Sequence, residues 1–148
     1  MEAVIFIGIQ ASGKSTFYKE KYFNTHLRVS NDLLKTKNRE KLLLEYCIKT
    51  QMSLVIDNTN VTKEIRSKYI DIFKDNHIPV IGYYFRTDLK QSLQWNNKRT
   101  GIEKIPEVGI RGTNNKLEIP SVDEGFTQLY YVDIIDNKHI IKEWKDEI

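Results

Sequence analysis

The stretch Ala3-Val4-Ile5-Phe6-Ile7-Gly8-Ile9-Gln10-Ala11-Ser12-Gly13-Lys14-Ser15-Thr16 decides how the rest of the chain is read. Its first half is a nearly continuous apolar run, the mark of a strand buried on both faces of a parallel sheet. Its second half matches Gly-x-x-x-x-Gly-Lys-Ser, a loop whose glycines let successive backbone N–H groups point inward at phosphate oxygens. A helix beginning near Lys14 would add the positive end of its dipole to that cradle. In this pattern Lys14 is expected to reach the β- and γ-phosphates of ATP, and the Ser15 hydroxyl to ligate Mg²⁺. The loop contacts to the nucleotide are assigned to Gly8, Ala11, Ser12, Gly13, Lys14, Ser15 and Thr16.

Outward from the loop, strands and helices alternate. Strands are predicted at 3–9, 27–30, 53–57 and 78–85, the last broken by Gly82. A helix is predicted over 14–22, and a second carries Leu43, Leu44, Cys47 and Ile48 at four-residue spacing. Thr62 is placed to cap a third, with Ile65, Tyr69, Ile72 and Phe73 on its apolar face. Asp88 opens a fourth, with Gln91 at the capping-box position. Between 100 and 120 the pattern dissolves into Gly, Pro, Asn and charges, the composition of a mobile segment. Two β-rich runs within 128–144, joined by Asp136-Asn137-Lys138, read as a hairpin. The expected fold is three-layer α/β of the P-loop NTPase type: one domain over 1–148, with a mostly parallel sheet, flanking helices, a lid near 100–120 and a C-terminal β-hairpin.

Composition sets outer bounds. The 148 residues suit one domain with a real core, and 40% hydrophobic with 29% charged residues describes a folded chain rather than a disordered one. No apolar run reaches the roughly 20 residues that span a bilayer. The start of the chain has no signal-peptide pattern, and the single cysteine, Cys47, leaves no internal disulfide or cysteine metal cluster. A cytoplasmic enzyme with no membrane association is expected. The net charge of +3 fits a polyanionic substrate without requiring one.

In parallel α/β sheets the site forms at the carboxyl ends of the strands. Asp32 stands just after the second strand, at the start of a helix. There a carboxylate stays ionised and suits a general base, or it simply caps the helix; local sequence leaves the two readings even. Lys35, three residues on, would share its face and hold a substrate phosphate, or be solvated. Asp57 closes the third strand after Leu54-Val55-Ile56, the weak form of the acid that meets Mg²⁺ in nucleotide-binding sites. Asn58, Thr59 and Asn60 would fold into a tight turn behind it. In the lid, Arg99 is the first choice to neutralise a transferring phosphoryl group and Arg111 the second, with a surface role equally open for Arg111. Trp95 reads as a packing residue before a nucleobase platform. His26, His77, His139 and Cys47 receive no chemistry.

Taken in order, five blocks resemble the 5′-hydroxyl polynucleotide kinases, in particular the kinase domains of the phage enzyme and of bifunctional animal and bacterial end-healing proteins. The blocks are residues 8–16, Val29-Ser30-Asn31-Asp32, Asp57-Asn58-Thr59-Asn60, Asn96-Asn97-Lys98-Arg99, and Ile119-Pro120-Ser121-Val122-Asp123-Glu124-Gly125-Phe126. The resemblance implies a kinase that moves the ATP γ-phosphate to the 5′-OH end of RNA or DNA, in nucleic-acid repair. It puts Asp32 at the general base, Lys14 and Ser15 at ATP and Mg²⁺, Asp57 at the second essential acid and Arg99 at the lid arginine. Two departures stand out. Asn31 occupies a position usually basic in the family, and Lys35 replaces an arginine that grips the substrate's adjacent phosphate. No Asp-x-Asp-x-Thr phosphatase segment is found, so the expectation is the kinase half alone. The competing readings are a small-molecule P-loop kinase of the gluconate or nucleoside type and a nucleotide-binding module without acceptor chemistry.

Overall fold

Alternation along the first strand, β1 (Ala3–Ile7), sends Val4 and Phe6 to one face of a sheet and Ala3, Ile5 and Ile7 to the other, and all five are fully buried. The structure is a computed structural model that describes residues 1–86 and 88–146. The remaining strands are β2 (Leu27–Val29), β3 (Leu54–Ile56), β4 (Val80–Phe85), β5 (Gln128–Ile135) and β6 (Lys138–Glu143). The described residues form a six-stranded sheet in the order β2-β3-β1-β4-β5-β6. Neighbours pair in parallel from β2 to β5, and β6 returns antiparallel to β5.

Helices cover both faces. Phe17, Tyr18 and Tyr22 at α1 (Lys14–Lys21) pack with Val4, Phe6, Tyr83 and Phe85 in an aromatic layer, the Phe6 and Phe17 rings meeting edge to face at 5.6 Å. On the opposite face Leu44 and Cys47 of α3 (Lys37–Thr50) and Tyr69, Ile70 and Phe73 of α4 (Lys63–Asp75) close over Ala3, Ile5 and Ile7. This is the expected three-layer α/β fold with its C-terminal hairpin. In the hairpin turn Asp136 and Asn137 both take left-handed φ, of 52° and 62°, which matches the twist of the two strands.

Several boundaries and faces differ from expectation. The first strand stops at Ile7, because Gly8 N–H leaves the ladder and donates to Thr59 O at 3.0 Å. Strand β4 runs through Gly82 unbroken: the glycine is there because a Cβ would come within 2.7 Å of Phe126 Cε1. Thr62 does cap α4, accepting from Ile65 N–H at 3.2 Å, but Ile65 and Ile72 lie on its exposed side. Their buried places are taken by Ile70 and by Arg66, which is fully buried. Asp88 caps α5 (Leu89–Asn97) by accepting from Gln91 N–H, whereas the reciprocal capping box lies elsewhere, at Ser121 and Glu124.

The stretch expected to be patternless, 100–120, contains a three-residue 3-10 turn (Gly101–Glu103) and a ten-residue helix, α6 (Glu107–Lys116), with Ile110 fully buried. Its approach is pinned by Asn96, whose amide donates to Ile105 O at 2.6 Å and accepts from Ile105 N–H at 2.8 Å. A one-turn helix, α2 (Asn31–Leu34), precedes α3 and is separate from it. No helix among the described residues is long and apolar enough to cross a membrane.

Candidate active site

Chain order reverses direction around β1: the connection to β2 passes one way over β3, and β3 then leads back across β1 to β4. Loops diverge at such a point and leave a crevice at the carboxyl ends of the strands. A cavity of about 290 Å³ fills it. Its walls are the loop 10–16 after β1, Arg28, Asn31 and Asp32 at the end of β2, Asp57 to Thr59 after β3, and Arg99 with Ile105 from the far side.

The loop closes on itself. Ala11 and Gly13 have φ of 56° and 88°, the left-handed turns that aim consecutive N–H groups into one concavity. Gly13 is also the N-cap of α1. The Lys14 ammonium is folded back over the loop, donating to Ile9 O at 2.6 Å, Gly8 O at 3.0 Å and Ser12 Oγ at 3.2 Å. Burial pulls its pKa down to about 8; Asp57 and Asp32 push the other way and Arg99 adds to the fall. A bound polyphosphate would hold Lys14 protonated, so the complex takes up protons that the free protein lacks above that pH. Nucleotide affinity is therefore expected to be flat below pH 8 and to fall above it, by up to about tenfold per pH unit. Titration with a fluorescent ATP analogue from pH 6.5 to 9.5 checks this, and a flat profile would show that Lys14 does not bind the phosphates as an ammonium.

At the start of α1 the Ser15 hydroxyl donates to Asp57 Oδ2 at 3.2 Å. A hydroxyl and a carboxylate beside a phosphate-binding loop are a hard-oxygen pair of the kind Mg²⁺ prefers, the rest of its shell coming from phosphates and water. The residues fit the ion. Among the described residues there is no cluster of three or more His, Cys, Asp or Glu that could hold a metal by itself. Asp57 is also engaged by Arg28, whose Nε donates to the same Oδ2 at 2.8 Å and whose Nη2 donates to Ser15 Oγ at 3.2 Å.

Asp32 lies in the first turn of α2 and lines the cavity. It does not cap the helix. Ser30 occupies the N-cap without a side-chain bond, and Asn31 N–H is taken by Asn58 Oδ1 at 2.8 Å. The carboxylate makes no hydrogen bond or ion pair with the described residues and is exposed at the cavity, where its charge acts on Lys14. Arg99 faces the same cavity from the end of α5, its Nη1 donating to Glu103 O at 3.3 Å.

Two expected site residues are not brought in. The shared face of Asp32 and Lys35 needs a continuous helix, but α2 ends at Leu34 and Lys35 turns off with a φ of 71°. It is exposed and does not line the cavity. Arg111 sits on the outer side of α6 in an exposed pair with Glu107 one turn earlier, at 2.7 Å, and faces the α5–α6 groove. A second cavity of about 230 Å³ adjoins the first across Gly13 and Thr16, between Trp95 and Arg99 on one side and Ile134, Asn137 and His139 of the hairpin on the other. Trp95 therefore faces open space as well as packing.

Residues 28–113, more than half of the chain, match the AAA domain family. The chain belongs to that family, a set of P-loop domains. It is 32% identical over 133 residues to the bifunctional polynucleotide phosphatase/kinase of Schizosaccharomyces pombe, an overlap of 86% of this chain and 32% of that protein. It is 27% identical over 155 residues to the putative bifunctional polynucleotide phosphatase/kinase of Acanthamoeba polyphaga mimivirus, over 97% of this chain and 36% of that one. The chain thus spans about a third of the length of the curated relatives it matches. Among solved structures, a sugar kinase from a Janibacter species overlays with a TM-score of 0.68 at 14% identity, covering 90% of this chain and 85% of that one. That likeness is one of fold.

Three residues at or behind the site of this P-loop domain carry no role that the sequence marks. Arg28 falls within the strand predicted at 27–30. His139, set aside as chemically silent, has Nε2 3.1 Å from Gly13 O and Nδ1 3.0 Å from Glu20 Oε2, so the hairpin is fastened to the phosphate loop. Arg66 holds the turn behind Asp57 from below: its Nη1 donates to Asn60 O at 2.9 Å while Nε and Nη2 grip Glu124. A charged residue at a buried helical position, and an acid in the block 119–126, were the available signals.

Proposed function

We propose that this chain is an ATP-dependent polynucleotide 5′-hydroxyl kinase domain, transferring the γ-phosphoryl group of ATP to the 5′-OH end of RNA or DNA. The observation that carries it is Asp32: an acidic side chain without a hydrogen-bond or ion-pair partner among the described residues, lining the same cavity as the phosphate loop and Lys14. Likeness to relatives named as polynucleotide phosphatase/kinases supports the choice of acceptor. A cytoplasmic role in nucleic-acid repair goes with it.

On this reading the loop N–H groups and Lys14 hold the β- and γ-phosphates, and the cavity between Trp95 and the hairpin takes the base. Asp32 accepts the proton of the 5′-OH as its oxygen bonds to the γ-phosphorus, and the bond from that phosphorus to the β–γ bridging oxygen breaks to release ADP. Arg99 and Lys14 balance charge on the phosphoryl oxygens as it passes. Mg²⁺, when held by Ser15 and Asp57, supplies further charge neutralisation on the same phosphates. The segment 100–120, with Arg99 at its head, closes over the nucleotide and keeps water from competing with the acceptor.

The test is transfer of label from γ-labelled ATP to matched 5′-OH RNA and DNA oligonucleotides with a divalent metal present. Label on the 5′ end is expected. Transfer to gluconate or a nucleoside with none to either oligonucleotide would replace this reading with a small-molecule kinase. Nucleotide binding with no acceptor at all would reduce it to a binding module.

A further inference from the structure

Arg28 projects from β2 into the phosphate-loop cavity and binds both oxygens that the site offers to Mg²⁺: Asp57 Oδ2 through Nε, and the Ser15 hydroxyl through Nη2. The Asp57 side chain is 2% exposed, and a carboxylate so deeply placed needs a cation. Among the described residues Arg28 is its salt-bridge partner. Mg²⁺ requires a near-octahedral oxygen shell at about 2.0–2.1 Å and carries twice the charge. A guanidinium seated on the same carboxylate oxygen repels that ion and blocks its approach. The two cations are alternatives at this pair of oxygens.

We infer that Arg28 is a resident cation of the metal subsite, which neutralises Asp57 and orients Ser15 until Mg²⁺ enters with the nucleotide and displaces it. The side chain is 30% exposed, so it has a free side to leave by. Once displaced it remains in the cavity beside Asn31 and Asp32. On that edge Asn31 is neutral and Lys35 has turned away, which leaves Arg28 as the cation available to a phosphate next to the acceptor hydroxyl. Metal binding thereby strengthens acceptor binding, and by linkage the reverse holds to the same degree. This second step rests on the kinase reading; the competition with metal does not.

The test uses Mn²⁺ as the metal, with a saturating non-hydrolysable ATP analogue, read by electron paramagnetic resonance or calorimetry. Arg28→Gln is expected to bind Mn²⁺ about fivefold or more tighter than wild type, the lower end of ordinary coupling strengths. Arg28→Lys, which keeps the charge but cannot span two oxygens, is expected to fall between them. It also serves if the glutamine variant does not fold around an unpaired Asp57. Mn²⁺ affinity unchanged or weaker in the folded variants overturns the inference. In a second arm, a 5′-OH oligonucleotide is titrated with and without Mn²⁺. Wild type is expected to bind it tighter with metal and Arg28→Gln to lose that gain. Equal binding by wild type in both conditions overturns the coupling. No oligonucleotide binding or labelling by wild type overturns the kinase reading instead, and the first arm still judges the metal competition.

Discussion

Asp32→Asn is expected to lower phosphoryl transfer to a 5′-OH end by about 10²–10⁴-fold, the span ordinarily lost with a positioned general base. The change keeps the size of the side chain and removes its negative charge together with its ability to take a proton. Because Asn58, not Asp32, caps the helix start, α2 has no reason to unwind. The loop 10–16 makes no hydrogen bond to Asp32 among the described residues, so nucleotide affinity should stay close to wild type. The loss should therefore appear in kcat with the KM for ATP little changed. Both values are read from steady-state transfer to a saturating oligonucleotide, with affinity checked by equilibrium binding. A variant within tenfold of wild-type kcat would remove Asp32 from the role of base. A variant that loses ATP binding as well would mean that Asp32 helps to build the loop.

Where determinants are local, the sequence carried them. The apolar run of β1 and the glycines of the loop define one another within a dozen residues, and the alternation of strands with amphipathic helices leads directly to a mostly parallel sheet. The placement of Asp32 and Asp57 at strand ends needs only that much. Lys35 lies outside the cavity for a local reason of a different kind. Three-residue spacing puts side chains on one face only while the helix lasts, and α2 lasts four residues. Helix α6 was hidden by its own composition, since Gly109, Gly112, Val108 and Thr113 are poor helix formers and its order comes from Ile110 in the core and from Asn96.

Residues that fasten the site to the scaffold were illegible because their partners are remote in sequence. His139 meets Gly13 across 126 positions, and Arg66 meets Glu124 across 58. No periodicity marks such pairs. They share one purpose: each holds a loop of the cavity wall whose own residues are too short or too polar to pack. The hairpin fastens the phosphate loop through His139, and the block 119–126, which resemblance singled out without a role, fastens the turn after Asp57 through Glu124.

That second fastening should be costly to break. Arg66 is fully buried, and its guanidinium donates to Glu124 through Nε at 2.7 Å and Nη2 at 3.1 Å while Nη1 serves Asn60 O. Glu124 Oε2 also accepts Ser121 N–H at 2.8 Å, and Asn60, at a left-handed φ of 46°, reaches Phe6 O of β1 with its amide at 2.7 Å. One cation thus joins the turn bearing Asp57, the central strand and the chain entering β5. Arg66→Ala is expected to cost about 3–5 kcal/mol, because it strands the Glu124 carboxylate, 10% exposed, without its partner. Urea unfolding followed by circular dichroism measures it as a lower midpoint at unchanged slope. Arg66→Met combined with Glu124→Leu should recover most of the loss, since two apolar groups leave no buried charge behind. If the single variant loses less than about 1 kcal/mol, the value of an exposed pair, the ion pair is not what holds the turn. Recovered stability without recovered phosphoryl transfer in the double variant would show that the pair also sets the position of Asp57, a task that burial of apolar surface cannot perform.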